Sequence, residues 1–204
     1  MQMKEIQNEI LENKRRHNFN TTSLEQEFCY LYCEIREAYE AYCEGWDTFG
    51  EELADSVNFL MGIAEIKGID LATEILKRMA EIGGYALQHA DGIVMKLNET
   101  SLNHDARLMK DIQREIRENE VELGSGSTSV EQRFCNLYEK VGDAYEAYYK
   151  NLGTFEKELA NVAICIMSIA ENNGIDLGAE SVKKVQKNKS RVYKRNALGY
   201  MVHL

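Results

Sequence analysis

Apolar residues recur along this chain at helical spacing and almost nowhere at strand spacing. Ile6, Ile10 and Leu11 share one side of a segment over about 3–16. Phe28, Leu31, Tyr32, Ile35, Tyr39 and Tyr42 repeat through about 24–44, behind a Thr22-Ser23 pair suited to cap a helix. Leu53, Val57, Leu60, Met61 and Ala64 mark a third helix over about 50–67, which Gly68 ends, and Asp70 opens a fourth. No alternating apolar–polar stretch appears, so strands are not expected.

The pattern then repeats. A shift of 106 positions lays Met3–Lys77 over Met109–Lys183 without a gap, with 36 identities in 75 positions. LEQEFCYLYCEIREAYEAY falls on VEQRFCNLYEKVGDAYEAY, TFGEELA on TFEKELA, and IAEIKGIDL on IAENNGIDL. The junction NETSLNHDA (98–106) is polar and suits a linker. The expected organisation is a first repeat over 1–98, a linker over 99–108 and a second repeat over 109–204. One four-helix unit alone is thin. The expected fold is therefore all-α, with two tandem four-helix units packed as a pseudo-dimeric helical bundle.

Composition narrows the function. The 204 residues contain no proline, which agrees with long helices. A net charge of −10 argues against a nucleic-acid binder. The opening MQMKEIQNEI is too polar for a signal peptide, and no apolar run reaches the roughly 18 residues of a membrane span. Five cysteines without a Cys-x-x-Cys, in mostly apolar helical runs, read as buried free thiols in a reducing compartment. The expectation is a soluble, cytoplasmic protein.

Candidate chemistry lies in the first repeat. Glu34 and Glu37 on the second helix, and Glu52 and Asp55 on the third, are each spaced i, i+3, which places both carboxylates of a pair on one helix face. Two such pairs on facing helices form a set of hard oxygen ligands suited to Mg²⁺ or Mn²⁺. A solvated acidic face is the plain alternative. In the second repeat Lys140 stands at the position of Glu34, Asp143 at Glu37, Glu158 at Glu52 and Asn161 at Asp55, so half of the cluster is gone.

The ends of the repeats differ in the opposite sense. KKVQKNKSRVYKR (183–195) has seven basic residues and no acid, whereas the matching KRMAEIGGYALQH has Glu81, Ile82 and Tyr85 where the second repeat has Lys187, Asn188 and Arg191. A basic stretch is often only a solvated terminus. Here it also offers phosphate binding, with lysine as a point charge and arginine as a planar fork. Acidic residues collect in the first repeat, which holds 18 acids and 9 bases, against 16 and 15 in residues 99–204.

Together, Glu34-x-x-Glu37, the run EELAD with Glu52 and Asp55, GIDL, and Lys187-Asn188-x-x-Arg191-x-Tyr193 resemble the MazG-like nucleoside triphosphate pyrophosphohydrolases, an all-α superfamily that includes the dimeric dUTPases. The opening KEIQNEILENKRRHNFNTT is similar to the first helix and loop of such proteins, and the resemblance covers nearly all of both repeats. It implies hydrolysis of a (d)NTP to (d)NMP and pyrophosphate with Mg²⁺ or Mn²⁺. Glu34, Glu37, Glu52 and Asp55 would hold the metal, with Glu34 or Glu37 as catalytic base. Active sites in this superfamily form where subunits meet, so the second repeat would supply the neighbour. Lys184, Lys187, Asn188, Arg191 and Tyr193 are then the expected substrate contacts, joined by Asn58, Asn13 and Lys14. Trp46 is a candidate for stacking on a base, with packing near a loop as the alternative. The resemblance to tetrameric relatives implies a homodimer of the fused chain.

The alternative function is a catalytically inactive nucleotide-binding or scaffold bundle. A ferritin-like di-metal bundle needs Glu-x-x-His pairs, and the residues three before the four histidines are Lys14, Ala86, Ser101 and Tyr200. His104-Asp105 has no histidine partner nearby, and GSGSTS (124–129) lacks the lysine and preceding strand of a phosphate loop.

Overall fold

A computed structural model describes residues 2–20, 22–90, 108–124, 126–197 and 201–203, with the side chains of 83–90 and 201–203 outside that description. Among the described residues the fold is all-helical apart from one short antiparallel strand pair. The first repeat supplies α1 (Met3–Arg16), α2 (Leu24–Glu44), α3 (Phe49–Ile66) and α4 (Leu71–Ala90). The second supplies α5 (Met109–Glu122), α6 (Val130–Tyr149), α7 (Phe155–Asn172) and α8 (Leu177–Ser190). The linker expected over 99–108 lies outside the described residues except for Leu108, and so does His104-Asp105.

Helix ends fall where the capping residues stand. The Ser23 hydroxyl accepts from the Gln26 amide at 3.3 Å, and Ser129 makes the same bond to Gln132. Gly68 and Gly174, at matching positions after α3 and α7, take φ of 68° and 70°, a left-handed turn that glycine enters without strain. A buried glutamine then fixes each following helix. Gln7 donates to the Ile69 carbonyl at 2.8 Å and accepts from the Leu71 amide at 3.3 Å. Gln113 does the same for Ile175 and Leu177 at 3.0 and 3.1 Å.

One apolar core runs through both repeats. Phe28, Leu31, Ile35, Leu53 and Leu60 pack in continuity with Phe134, Leu137, Val141, Leu159 and Ile166. Each such side chain, fully buried, stabilises the fold by about 1.5–3 kcal/mol. Within a repeat the second helix lies on the third. Between repeats α8 lies on α3, α4 on α7, and α2 meets α6. The first repeat's cluster thus faces the end of the second repeat.

Two sequence expectations are corrected. After α8 the chain forms β1 (Tyr193–Arg195), paired antiparallel with β2 (Met201–His203), where no strand was expected. Three-residue strands are too short to show a period of two. The cysteines are free as expected but not buried: Cys29, Cys33, Cys43 and Cys135 are exposed and Cys165 is half-buried. The buried stripe of α2 is Phe28, Leu31, Ile35 and Ala38, and Cys29 and Cys33 fall outside it. No described helix is long and apolar enough to cross a membrane.

Candidate functional site

The helix pair α2–α3 and the end of the second repeat enclose a cavity of about 650 Å³. Glu34 lines it from α2, and Asp55, Asn58 and Phe59 from α3. Asn13 and Lys14 come from the end of α1, followed by Asn18, Phe19 and Asn20. The second repeat contributes Lys184, Val185 and Asn188 from α8, then Arg191, Tyr193 and Arg195. Nine of the expected site residues therefore meet in one space although 180 positions separate Asn13 from Tyr193.

The carboxylates gather at one side of this space. One oxygen from each of Glu34, Glu37 and Glu52 lies within 4.8 Å of the others. Burial, with Asp55 and Glu37 nearby, pushes the Glu34 carboxyl up to about 8. Burial also raises Glu52, with Lys184 opposing it. Glu37, the exposed member, pairs with Arg36 at 3.1 Å, while Glu34 and Glu52 are partly buried. Their oxygens are the hard donors that Mg²⁺ or Mn²⁺ takes, so the residues present fit such an ion.

Asp55 is held differently. It is ion-paired with Lys184. Burial raises its carboxyl to about 6 even with the ammonium holding it down, so the pair is ionised at neutral pH. The Lys184 ammonium also reaches Glu51 Oε1 at 2.7 Å, and Lys187 reaches the same oxygen at 2.6 Å. Burial lowers Lys184, but Asp55 and Glu51 more than offset it. Hydrogen bonds from Lys184 and then Lys187 draw Glu51 down to about 2.

The polar wall of the cavity has its own order. Lys14 and Glu27 form a buried ion pair, and Asn20 donates to the other Glu27 oxygen at 2.8 Å. Burial lowers the Lys14 ammonium, and Glu27 partly restores it. A Cβ on Gly62 would stand 2.7 Å from Lys14 Cε, so a larger residue there would displace the end of this lysine. The Oδ1 atoms of Asn13 and Asn58 are buried without a hydrogen-bond partner among the described residues. Phe19 and Tyr193 meet edge-on at 4.7 Å between centroids, and Tyr30 and Phe59 lie 5.4 Å apart.

Some expected residues stand elsewhere. Glu37 and Glu52 join Glu34 but do not line the cavity, and Lys187 turns to Glu51. Trp46 is half exposed and does not line the cavity either. Sequence reasoning missed Glu51, Glu27, Phe19, Asn20, Gln26, Tyr30, Phe59 and Arg195. Glu51 carried a readable signal: the repeats place Lys157 at its position and Glu81 at that of Lys187, and these two also pair, at 2.9 Å.

At the equivalent place in the second repeat, Lys140 bonds Asp143 at 2.9 Å, and Asn161 bonds Glu158 at 2.8 Å and Arg78 at 2.7 Å. An internal ammonium stands among the carboxylates there. Comparison of the chain with models of protein families, with curated proteins and with solved structures finds no match.

Proposed function

We propose that the chain is a metal-dependent nucleoside triphosphate pyrophosphohydrolase that converts (d)NTP and water to (d)NMP and pyrophosphate at one composite site. The observation that carries this reading is the meeting of the Glu34, Glu37 and Glu52 carboxylates and Asp55 with Lys184, Asn188 and Arg191 at a cavity of about 650 Å³. That volume falls within the range of small-molecule sites. Acids on one side and bases on the other are what a triphosphate carried on a divalent cation requires.

Glu34, Glu37, Glu52 and Asp55 would hold Mg²⁺ or Mn²⁺, which when bound neutralises phosphate oxygens and polarises the attacked phosphorus. Lys184 and Arg191 would orient the triphosphate, with Asn188 as a neutral donor. A glutamate of the cluster would take the proton of the attacking water. The water oxygen bonds to the α-phosphorus as the bridge to the β-phosphate breaks and pyrophosphate leaves. Phe19, Tyr30, Phe59 and the unpartnered Asn13 and Asn58 offer flat surfaces and polar atoms to a nucleobase.

The assembly is part of the same proposal. The two repeats pack as a pseudo-dimer, supported by the exchange of α4 and α8 across the repeats. The chain forms a homodimer, as the resemblance to MazG-like proteins implies, and its exposed free thiols suit the reducing cytoplasm. A second reading, a nucleotide-binding bundle without turnover, has one observation in its favour: Asp55 is already neutralised by Lys184.

Pyrophosphate release from a panel of NTPs and dNTPs with Mg²⁺ or Mn²⁺ tests the first reading, with Glu37→Gln beside the wild type. Release that disappears in the variant supports it. No release with any nucleotide leaves the bundle without turnover.

A further inference from the structure

Asp55 has two claimants. The reading above gives it to a divalent cation together with Glu34, Glu37 and Glu52, yet its carboxylate is ion-paired with Lys184. The lysine is only 7% exposed, so this is no loose surface contact. Its ammonium is shared between Asp55, which belongs to the carboxylate side of the cavity, and Glu51, which does not line the cavity. An ammonium and a divalent cation on the same buried carboxylate repel each other strongly where water does not screen them.

The second repeat shows the same trade in a settled form. Lys140 replaces Glu34 and pairs with Asp143, while Asp55 becomes Asn161, which bonds Glu158 and which Arg78 binds without any charge to neutralise. Among the described residues, only the first repeat's end keeps both a carboxylate cluster of this kind and an ammonium reaching into it.

We propose that Lys184 and a divalent cation compete for Asp55, and that Glu51 keeps the ammonium when the cation takes the carboxylate. The proposal rests on the metal-dependent reading of the site. Glu51 is a positioning residue in it, acting through Lys184. Because α8 carries Lys184 and Asn188 and leads directly to Arg191 and Tyr193, the shift of Lys184 reports cation loading to the second repeat's side of the cavity.

The test is Mn²⁺ binding to the full chain without nucleotide, followed by calorimetry and by loss of the free-ion electron paramagnetic resonance signal. Lys184→Met should bind Mn²⁺ at least tenfold tighter than the wild type. Glu51→Gln should bind it at least threefold more weakly, because the ammonium then has only Asp55. In the Lys184→Met background the Glu51→Gln effect should vanish, which a plain loss of negative charge would not produce. Circular dichroism and a melting curve check each fold. Lys184→Gln, able to donate to Asp55, replaces the methionine variant if that one does not fold.

Equal or weaker binding in the lysine variant overturns the competition, and so does a Glu51 effect that persists without the lysine. The outcomes separate the two claims. If neither the wild type nor any variant binds Mn²⁺, the metal reading and this inference fall together. If the wild type binds, Glu37→Gln abolishes binding and Lys184→Met is no tighter, only the competition fails. Tighter binding by Lys184→Met, together with no pyrophosphate release by the wild type from any nucleotide, retains the competition and removes the enzymatic reading.

Discussion

Glu34→Gln should make the metal-free chain more stable at neutral pH while removing its response to metal. Burial and neighbouring carboxylates push the Glu34 carboxyl up to about 8 from 4.5. Between those values the folded chain retains a proton that the unfolded chain has lost, so stability falls as pH rises. The limiting slope is about 1.4 kcal/mol per pH unit, which between 4.5 and 7 amounts to about 3 kcal/mol. Glutamine has no such proton to lose. At pH 7 in a chelator the variant should exceed the wild type by up to about 3 kcal/mol, or about 6–12 °C in melting temperature for a chain of this size. The difference should shrink toward zero at pH 4.5.

Glu51 does not obscure this window. Its carboxyl, drawn down to about 2, contributes stability that is present above 4.5 and lost as pH falls below it. Asp55, raised to about 6, slopes with Glu34 but is common to both proteins. Thermal melts and urea titrations from pH 4.5 to 8, with EDTA and then with excess Mn²⁺, measure the effect. Parallel wild-type and variant profiles, or a variant less stable at pH 7, would refute the reasoning.

Other perturbations follow from particular contacts. Gly62→Ala places a methyl 2.7 Å from Lys14 Cε and 3.1 Å from Glu27 Oε2, and should lower unfolding free energy in urea by about 1–3 kcal/mol. Lys14→Met strands the buried Glu27 and should destabilise by about 3–5 kcal/mol; adding Lys14→Glu, Glu27→Arg and Gly62→Ser together to the wild type instead reproduces the second repeat's pair and should recover most of that loss. Four thiols should react rapidly with a disulfide reagent at pH 8 and the half-buried Cys165 much more slowly, since burial pushes its thiol up to about 12. Size exclusion with light scattering should give twice 23.4 kDa, and a strict monomer would remove the homodimer from the proposal.

The helices were readable because apolar spacing and caps agree locally. Ser23, Gly68 and Asp70 stand where α2, α3 and α4 begin or end. The facing of single residues was less readable. Tyr32 was read with the apolar stripe of α2 and is 37% exposed, because its ring points across to Gly142 of α6 rather than into the core. The cysteines were misread for the same reason, since an apolar run does not say which side of it is covered. Glu51 was hidden among many acids. Its role depends on a partner 133 positions away, and only the reversed charges at the aligned positions pointed to it.

Those reversals explain how one duplicated unit supports two different ends. Lys14 with Glu27 in the first repeat becomes Glu120 with Arg133 in the second, where Ser168 fills the space left open by Gly62 and bridges the pair. Glu51 with Lys187 becomes Lys157 with Glu81. Each exchange preserves a contact while moving the charge to the other helix, so the packing between repeats survives unchanged in kind. In the carboxylate cluster, by contrast, Glu34 becomes Lys140 and Asp55 becomes Asn161 with no such reversal of a pair. At the second end the protein carries its own cation among Glu139 and Asp143. At the first end Arg36 pairs only with the exposed Glu37 and Glu40, and Lys184 with Asp55 and Glu51, so the oxygens of Glu34 and Glu52 beside Glu37 have no ion-pair partner among the described residues. Burial of close carboxylates favours a proton or a cation between them. The second end supplies its charge from Lys140, whereas Glu34 at the first end keeps a proton at neutral pH, and under the proposed function a divalent cation would take that proton's place.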